Sequence, residues 1–441
     1  MASAAESAFT RVSLSSYLRL VRDNRNFRRL WLAQIVSEIG DWFYTLAIYS
    51  LLLQLTGRAS SVALALVLQV LPWTFVGPTV GIVNDRVSRR RVMIIADIVR
   101  ALIVCTMVLV RSASTVWLVY PLLLCETIMA AFFEPARNAV IPNITAPEDV
   151  IVANTLGSTT WSMNLVMGAA VGGVVAALLG RDAVFVLNAL SFLVSALLIT
   201  RMRFDEPHAA NMAKLRVRDL LDFSFVREGF RYVRRDPRLT ATVLVKAGLL
   251  VIGPSWVLFT VMGRSNFPVH WRGVDQERGA MLGMSMLMAA RGVGAMLGPL
   301  VATRWTAQRQ NRLRLAILFG FAAEAIGYIG LGFASNVWIA CAWIVLAHCG
   351  GSIVWVFSTT LLQLNTDDRF RGRVFSADHA LAMFTIAVGA FVVGRLLDAG
   401  FPPLRLCIGA GASMLVPVLL WASAMRIWRE REDALSLESA D

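Results

Sequence analysis

The sequence predicts an all-α integral membrane protein of twelve transmembrane helices, arranged as two six-helix bundles. Three observations carry that expectation. The 441 residues are 57% hydrophobic and only 16% charged, with a mean hydropathy of +0.63, a balance foreign to soluble globular chains. Apolar stretches of about twenty residues, the length that crosses a bilayer, recur along the whole chain. Between them, arginines crowd alternate connections, as in short loops held on the cytoplasmic side.

The elements follow in order. Met1–Asn24 reads as a tail, polar and arginine-rich, with no apolar segment of the cleavable-signal kind. Ser15–Arg29 carries Leu18, Val21 and Phe27 among arginines and is expected to lie on the membrane surface. The first six spans fall at Leu30–Leu55, Ser61–Val83, Arg91–Arg111, Val116–Ala136, Ala153–Leu179 and Asp182–Met202, with a turn at Pro142 and Pro147 after the fourth. Arg203–Arg238 is too charged to span, and within it Leu215–Tyr232 predicts an amphipathic helix joining the halves. The second six fall at Leu239–Met262, Gly279–Arg304, Leu313–Ala334, Val337–Leu362, Val374–Ala399 and Pro403–Met425. Arg426–Asp441 is a charged tail.

The plan is therefore a tail (1–29), a bundle (30–202), a linker (203–238), a second bundle (239–425) and a tail (426–441). With both termini in the cytoplasm, most of the 42 lysines and arginines fall on the inner side, as the positive-inside rule requires. The halves echo each other: Asn26-Phe27-Arg28 is matched by Asp236-Pro237-Arg238, and Met163 and Gly180 by Met383 and Gly400. A parallel repeat of this kind places a substrate site between the bundles, near the midplane.

Several classes are excluded. The net charge of +13 has no aromatic–basic stripe and no nucleic-acid motif, and its arginines cluster at helix ends, so no nucleic-acid partner is expected. Cys105, Cys125, Cys341, Cys349 and Cys407 all lie in apolar segments with neither metal spacing nor a secreted disulfide pattern. Nothing forms a catalytic constellation, and no Gly-rich phosphate loop ends in Gly-Lys-Ser/Thr, so no enzyme, cofactor or metal is expected. An ion gradient would then supply the energy.

The stretch Gly81-Ile82-Val83-Asn84-Asp85-Arg86-Val87-Ser88-Arg89-Arg90-Arg91 joins the second and third spans. The spacing Gly-x-x-x-Asp-Arg-x-x-Arg-Arg resembles the helix 2–3 loop of the major facilitator superfamily of secondary transporters. Its glycine permits close helix approach, and Asp85 and Arg86 can pair or meet a helix end, contacts that can hold one gate state. The resemblance thus makes Gly81, Asp85, Arg86, Arg89 and Arg90 candidate gating residues, and Asp85→Asn is expected to slow transport without loss of expression. Asn24-Arg25-Asn26-Phe27-Arg28-Arg29-Leu30-Trp31 with Gly40-Asp41-Trp42 resembles the opening of the enterobactin-exporter and macrolide-efflux branch. Phe133-Glu134-Pro135-Ala136-Arg137, Ile141-Pro142, Ala153-Asn154 and Arg371-Gly372-Arg373-Val374 continue that resemblance over nearly the whole chain.

It implies the major facilitator fold and export of a small molecule, and it names no substrate. There are departures. The Gly-Pro of the drug antiporters' helix 5 element reads Gly168-Ala169 here, followed by Gly172-Gly173, so the glycines that permit close packing remain without the proline. The superfamily's helix 4 arginine is absent and Glu126 stands in that region. The second-half loop Gly298–Arg304 lacks the acidic–basic pair.

Ionisable groups inside spans are costly and face a cavity or a partner. Asp41 lies about eleven residues into the first span, roughly 16 Å deep at 1.5 Å per residue. Gln34, Glu38, Asp41 and Thr45 form one polar stripe that cannot face lipid, and the proximity of Glu38 and Asp41 points to a protonation switch. Glu126 in the fourth span is a further proton site. Asp97 and Arg100, three apart, are expected to pair locally or to reach the Asp85–Arg86 gate. Arg291 and Glu324 lie in consecutive spans and are expected to form an ion pair, with Met281, Met284 and Met288 on the face of Arg291 as adaptable packing surface. Lys246 and His348 lie on helices that line the cavity in this superfamily. Asp378-His379 is a candidate partner of the Asp85 loop.

The expected function is a proton-coupled exporter of an amphipathic small molecule in a bacterial cytoplasmic membrane, working as a monomer among membrane lipids. A lysophospholipid flippase or an importer of the same fold is the alternative, and a non-transporting receptor or scaffold is the reading from another class.

Overall fold

The computed structural model describes residues 14–206, 224–234, 236–270, 275–306, 309–366 and 368–438. The tail before Leu14 and much of the expected linker helix at Leu215–Tyr232 lie outside them. Every regular element described is helical.

A short helix, α1 (Leu14–Asp23), buries Leu20 and exposes Leu18. It is followed by α2 (Arg25–Thr56), whose start is set by Asn24: the side-chain oxygen accepts from the Phe27 amide at 2.9 Å, satisfying one of the free N–H groups of the first turn. Gly57 ends it with φ +66°, a left-handed conformation natural to glycine. Then come α3 (Ala59–Arg86), α4 (Arg89–Met107), α5 (Val119–Ile144), α6 (Val150–Leu179) and α7 (Arg181–Thr200). The second half contains α8 (Ser224–Val233), α9 (Pro237–Ala247), α10 (Ile252–Ser265), α11 (Gln276–Thr306), α12 (Gln310–Leu331), α13 (Val337–Asn365), α14 (Asp368–Asp398), α15 (Pro403–Ser413) and α16 (Leu415–Glu438).

Among the described residues, ten segments are long and apolar enough to cross a membrane, α9–α10 and α15–α16 each counting as one. Two long helices, α2 and α4, fall short of that measure because they carry the polar groups treated below: Glu38 and Asp41 in one, three leading arginines with Asp97 and Arg100 in the other.

Some boundaries differ from those expected. The arginine-rich connection is a turn of two residues, Val87 and Ser88, since α3 continues through Arg86 and Ser88 caps α4 by accepting from the Arg91 amide. Pro142 lies inside α5 instead of in a turn. Proline is tolerated in such helices where neighbours bond the carbonyls. Here, one residue beyond the carbonyls that Pro135 and Pro142 leave free, Asn84 donates to the Phe132 carbonyl at 3.4 Å and Arg89 to that of Ala139 at 2.8 Å. The seventh span is broken between Ala247 and Ile252, and the twelfth at Met414. Pro254 and Pro417 sit in the first turn of the helices that resume, where a missing N–H costs nothing.

Within the first half α2 packs on α6 and α7, α4 on α5 and α7, and α3 on α5. In the second half α13 lies between α11 and α12 and packs closely on both, while α10 packs on α11 and α14. The halves meet along two seams, α3 against α14 and α6 against α11. Glycines make these approaches possible. A Cβ on Gly168 would lie 2.5 Å from Trp42 and one on Gly173 2.0 Å from the Ser285 hydroxyl, so the helix 5 glycines do set close packing. Large apolar side chains such as Leu178, Leu179, Leu300 and Val301 remain exposed on the outer surface, the distribution a protein in lipid requires.

Candidate functional site

Buried charge in the first half gathers on Arg100 of α4. Its Nε donates to Glu126 of α5 at 2.8 Å and its Nη2 to Asp41 of α2 at 2.7 Å. Asp97, one turn back on α4, stands 3.9 Å away. The guanidinium also lies 4.0 Å above the Phe192 ring of α7. Three carboxylates therefore surround one cation. Asp41 is the most exposed of the three, its side chain keeping 32% exposure against 8% for Glu126 and none for Asp97, although its Oδ1 is buried without a hydrogen-bond partner. The expected local Asp97–Arg100 pair is thus the weakest edge of a four-residue cluster.

Glu38 belongs elsewhere. It accepts from Arg137 of α5 at 3.0 Å, from Asn164 of α6 at 2.8 Å and from Gln34 at 2.8 Å. Gln34 also donates to the Gly157 carbonyl at 3.1 Å, and Arg137 pairs with Glu134 at 2.7 Å. This network ties α2, α5 and α6 and leaves Glu38 with its oxygens engaged. The polar stripe of α2 is real, but its two acids serve two separate clusters. Thr45 is half-buried and joins neither.

A cavity of about 520 Å³ lies between α6 and the second half, lined by Trp161, Arg291, Met296, His348, Gly351 and Trp355 among others. Arg291 lies 4.1 Å over the Trp256 ring. Trp256 stacks in turn on Trp42 with ring centres 5.7 Å apart and planes 3° from parallel. That column links α11, α10 and α2 beside Asp41. His348 shares a hydrogen bond of 3.2 Å with the Tyr328 hydroxyl.

The expected Arg291–Glu324 ion pair is not formed. Glu324 is fully buried and neither of its oxygens has a hydrogen-bond partner, and one Arg291 nitrogen is also unpartnered. The reason is helix order in space, with α13 between the two. A Cβ on Gly351 of α13 would lie 3.0 Å from a Glu324 oxygen. Lys246 does not reach this cavity either. It forms a buried ion pair with Asp378 and lies 4.6 Å over Trp355.

At the end of the molecule where α3 turns into α4, here called the basic face, Arg89 donates to the carbonyls of Asn84 and Ala139, at 3.2 and 2.8 Å. Arg90 donates to those of Ile199 and Thr200. Both therefore anchor the turn to its own half. The side chain of Asp85 lies outside what the structure describes. On the opposite face the halves are tied directly. Arg181 of α7 donates to Gln54 of α2 at 2.6 Å and pairs with Glu277 of α11 at 3.1 Å, and Gln54 donates to Glu277 at 2.6 Å. Asp398 of α14 accepts from the amides of Ala59 and Ser60 at the start of α3, at 2.6 and 3.2 Å.

Sequence reasoning missed the hub role of Arg100, the Trp42–Trp256–Arg291 column and the opposite-face ties. Arg137 stood in a recognised motif but carried no assigned partner. Each of these contacts joins residues from different helices, information absent from any single helix pattern.

A family model described as "Transmembrane secretion effector" matches residues 18–439. The MFS-type transporter YfiS of Bacillus subtilis is 26% identical over 386 residues, covering 86% of this chain and 88% of that protein. Macrolide efflux protein A of Streptococcus pyogenes is 24% identical over 380 residues, covering 84% and 89%. Among solved structures, the nucleoside transporter NupG (D323A mutant) superposes with a TM-score of 0.73 at 11% identity, over 90% of this chain and 99% of that one. This last likeness is one of fold.

Proposed function

We propose that this chain, which belongs to the transmembrane secretion effector family of major facilitator transporters, exports an amphipathic small molecule in exchange for protons. The observation that carries this reading is the cluster on Arg100. Ionised together, Asp41, Asp97 and Glu126 would leave two negative charges uncompensated in the membrane interior, and protons are the simplest compensation. Protons enter and leave at Asp41, the most exposed of the three acids, while Glu126 and Asp97 hold Arg100 in place. Glu38 is left out of the coupling because its oxygens are already occupied.

The substrate is placed in the cavity between α6 and the second half, where Trp161, Met296 and Trp355 supply apolar surface and Arg291 and His348 supply polarity. Its size and mixed lining support an amphipathic guest. Macrolide efflux by a relative supports the direction. With the basic face in the cytoplasm of a bacterial cell, the ties among Gln54, Arg181 and Glu277 close the outer side. The cycle is then an exchange of two packings of the halves along the α3–α14 and α6–α11 seams. Each proton entering down a potential of 100 mV contributes about 2.3 kcal/mol.

The test is substrate-induced proton movement in proteoliposomes, scanned over macrolides, catecholate siderophores and lysolipids, with Asp41→Asn alongside. A proton signal with one class, abolished in the variant, is the expected result. Flux without proton movement, or full coupling in the variant, overturns the assignment.

A further inference from the structure

The basic face carries a second cavity that the exchange of substrate and proton does not use. It measures about 1070 Å³ and lies where α1 meets the start of α2 and the end of α7. Arg19, Arg25, Arg29, Arg201 and Arg203 line it, with only Asp23 and Asp149 against them. Arg19 pairs with Asp149 at 2.9 Å, and Arg29 donates to the Arg201 carbonyl. The side chains of Arg25, Arg201 and Arg203 have neither a hydrogen-bond nor an ion-pair partner among the described residues.

These cations are not thrown together by a loose loop. The Asn26 side chain clamps the backbone of Arg203 on both sides: its nitrogen donates to the carbonyl at 2.6 Å, and its oxygen accepts from the amide at 3.1 Å. Asn24 caps α2 and at the same time donates to the Ile144 carbonyl at 2.6 Å. The chain thus spends fixed hydrogen bonds on holding like charges side by side. A further observation sets the depth. α1 buries Leu20 against the bundle and leaves Leu18 65% exposed, the posture of a helix lying in the plane of a membrane surface. That puts the mouth of the cavity at the level of lipid headgroups.

We propose that this cavity is a binding site for a phosphate-bearing anion, supplied either by the headgroup of an anionic phospholipid or by free phosphate. Guanidinium forks match phosphate oxygens in charge and in geometry, and three unpaired ones around a single cavity exceed what a chloride-sized ion can engage. Every lining residue belongs to the first half and to α1, so the site stays intact while the halves exchange positions. Its occupant fastens α1 to the bundle.

The experiment uses the full chain purified in a neutral detergent. Binding is read by native mass spectrometry and by melting temperature, with phosphatidylglycerol, phosphatidylcholine, inorganic phosphate and diphosphate as probes. Phosphatidylglycerol is expected to bind and to raise the melting temperature where phosphatidylcholine does not. The variant R25Q/R201Q/R203Q is expected to bind about a hundredfold more weakly, and each single variant about fivefold, from the roughly 1 kcal/mol that each arginine contributes near an anionic surface. R58Q/R405Q, remote from this cavity, serves as a charge control and is expected to bind like the parent. Arginine-dependent binding of phosphate or diphosphate alone supports the site and assigns it to the free anion. Equal phosphatidylglycerol binding by parent and triple variant, or equal loss in the control, overturns it. If the triple variant fails to fold, the single variants decide by the same criteria.

Discussion

The Asp41 carboxylate meets the Arg100 guanidinium at 2.7 Å, joining α2 to α4 inside the helical pack. The same guanidinium bonds Glu126, so a change at any one of these residues is felt by the others. Arg100→Gln leaves Glu126 and Asp97 buried without a cation. Removing one partner of a buried pair costs about 3–5 kcal/mol, so a marked drop in melting temperature is expected. Asp41→Asn leaves the remaining acids paired with Arg100 and is expected to melt within a few degrees of the parent. Differential scanning fluorimetry of the two variants checks this contrast, and an equal loss in both would contradict it.

Glu38 and Arg137 make the complementary case. Their pair is supported by Gln34, Asn164 and Glu134, and it ties three helices of the first half. Arg137→Ala is expected to destabilise by about 3 kcal/mol. Glu38→Gln is expected to keep proton-coupled flux in whatever protein remains folded. Loss of coupling at full stability in Glu38→Gln would return Glu38 to the proton pathway.

Lys246 and Asp378 form a buried pair 132 positions apart in the chain. Lys246→Met alone strands the buried Asp378 carboxylate and is expected to lower stability by about 3–5 kcal/mol. Adding Asp378→Leu is expected to restore most of it, since apolar replacement of both partners is often neutral. A double-mutant cycle on melting data measures the coupling, and additive losses would show that the pair is energetically idle.

The opposite-face ties among Gln54, Arg181 and Glu277 are half-exposed and individually weak, worth at most about 1 kcal/mol each. Glu277→Gln is expected to raise the population open on that face by up to about fivefold. Labelling of Thr260→Cys, which lines the pocket beside Glu277, by an impermeant maleimide in a background without the native cysteines reads that population. An unchanged labelling rate would mean that the Trp42–Trp256 stack closes this face without them.

Removing the Trp256 ring takes away the surface beneath Arg291 and the link to Trp42. Desolvated cation–aromatic contacts are worth about 2 kcal/mol. Trp256→Ala is therefore expected to raise the KM for export by roughly tenfold or more, with Trp256→Phe recovering part of it. Transport assays on the two variants decide, and an unaltered KM in Trp256→Ala would place the substrate away from this column.

Hydropathy and helical period alone made legible most of the helical segments, which of them are apolar enough for lipid, and the polar stripe of α2 at Gln34, Glu38 and Asp41. Those properties follow from local hydropathy and the 3.6-residue helical period, both of which belong to single segments. Partner choice came from the packing of helices distant in the chain. That packing sent Glu38 to Arg137 and Asp41 to Arg100, joined Lys246 to Asp378, and inserted α13 between Arg291 and Glu324. A helix pattern says that a charge must find a partner or a cavity. The identity of that partner depends on which helices become neighbours, and close approach at glycines such as Gly173 and Gly351, far apart in the chain, helps to set that order.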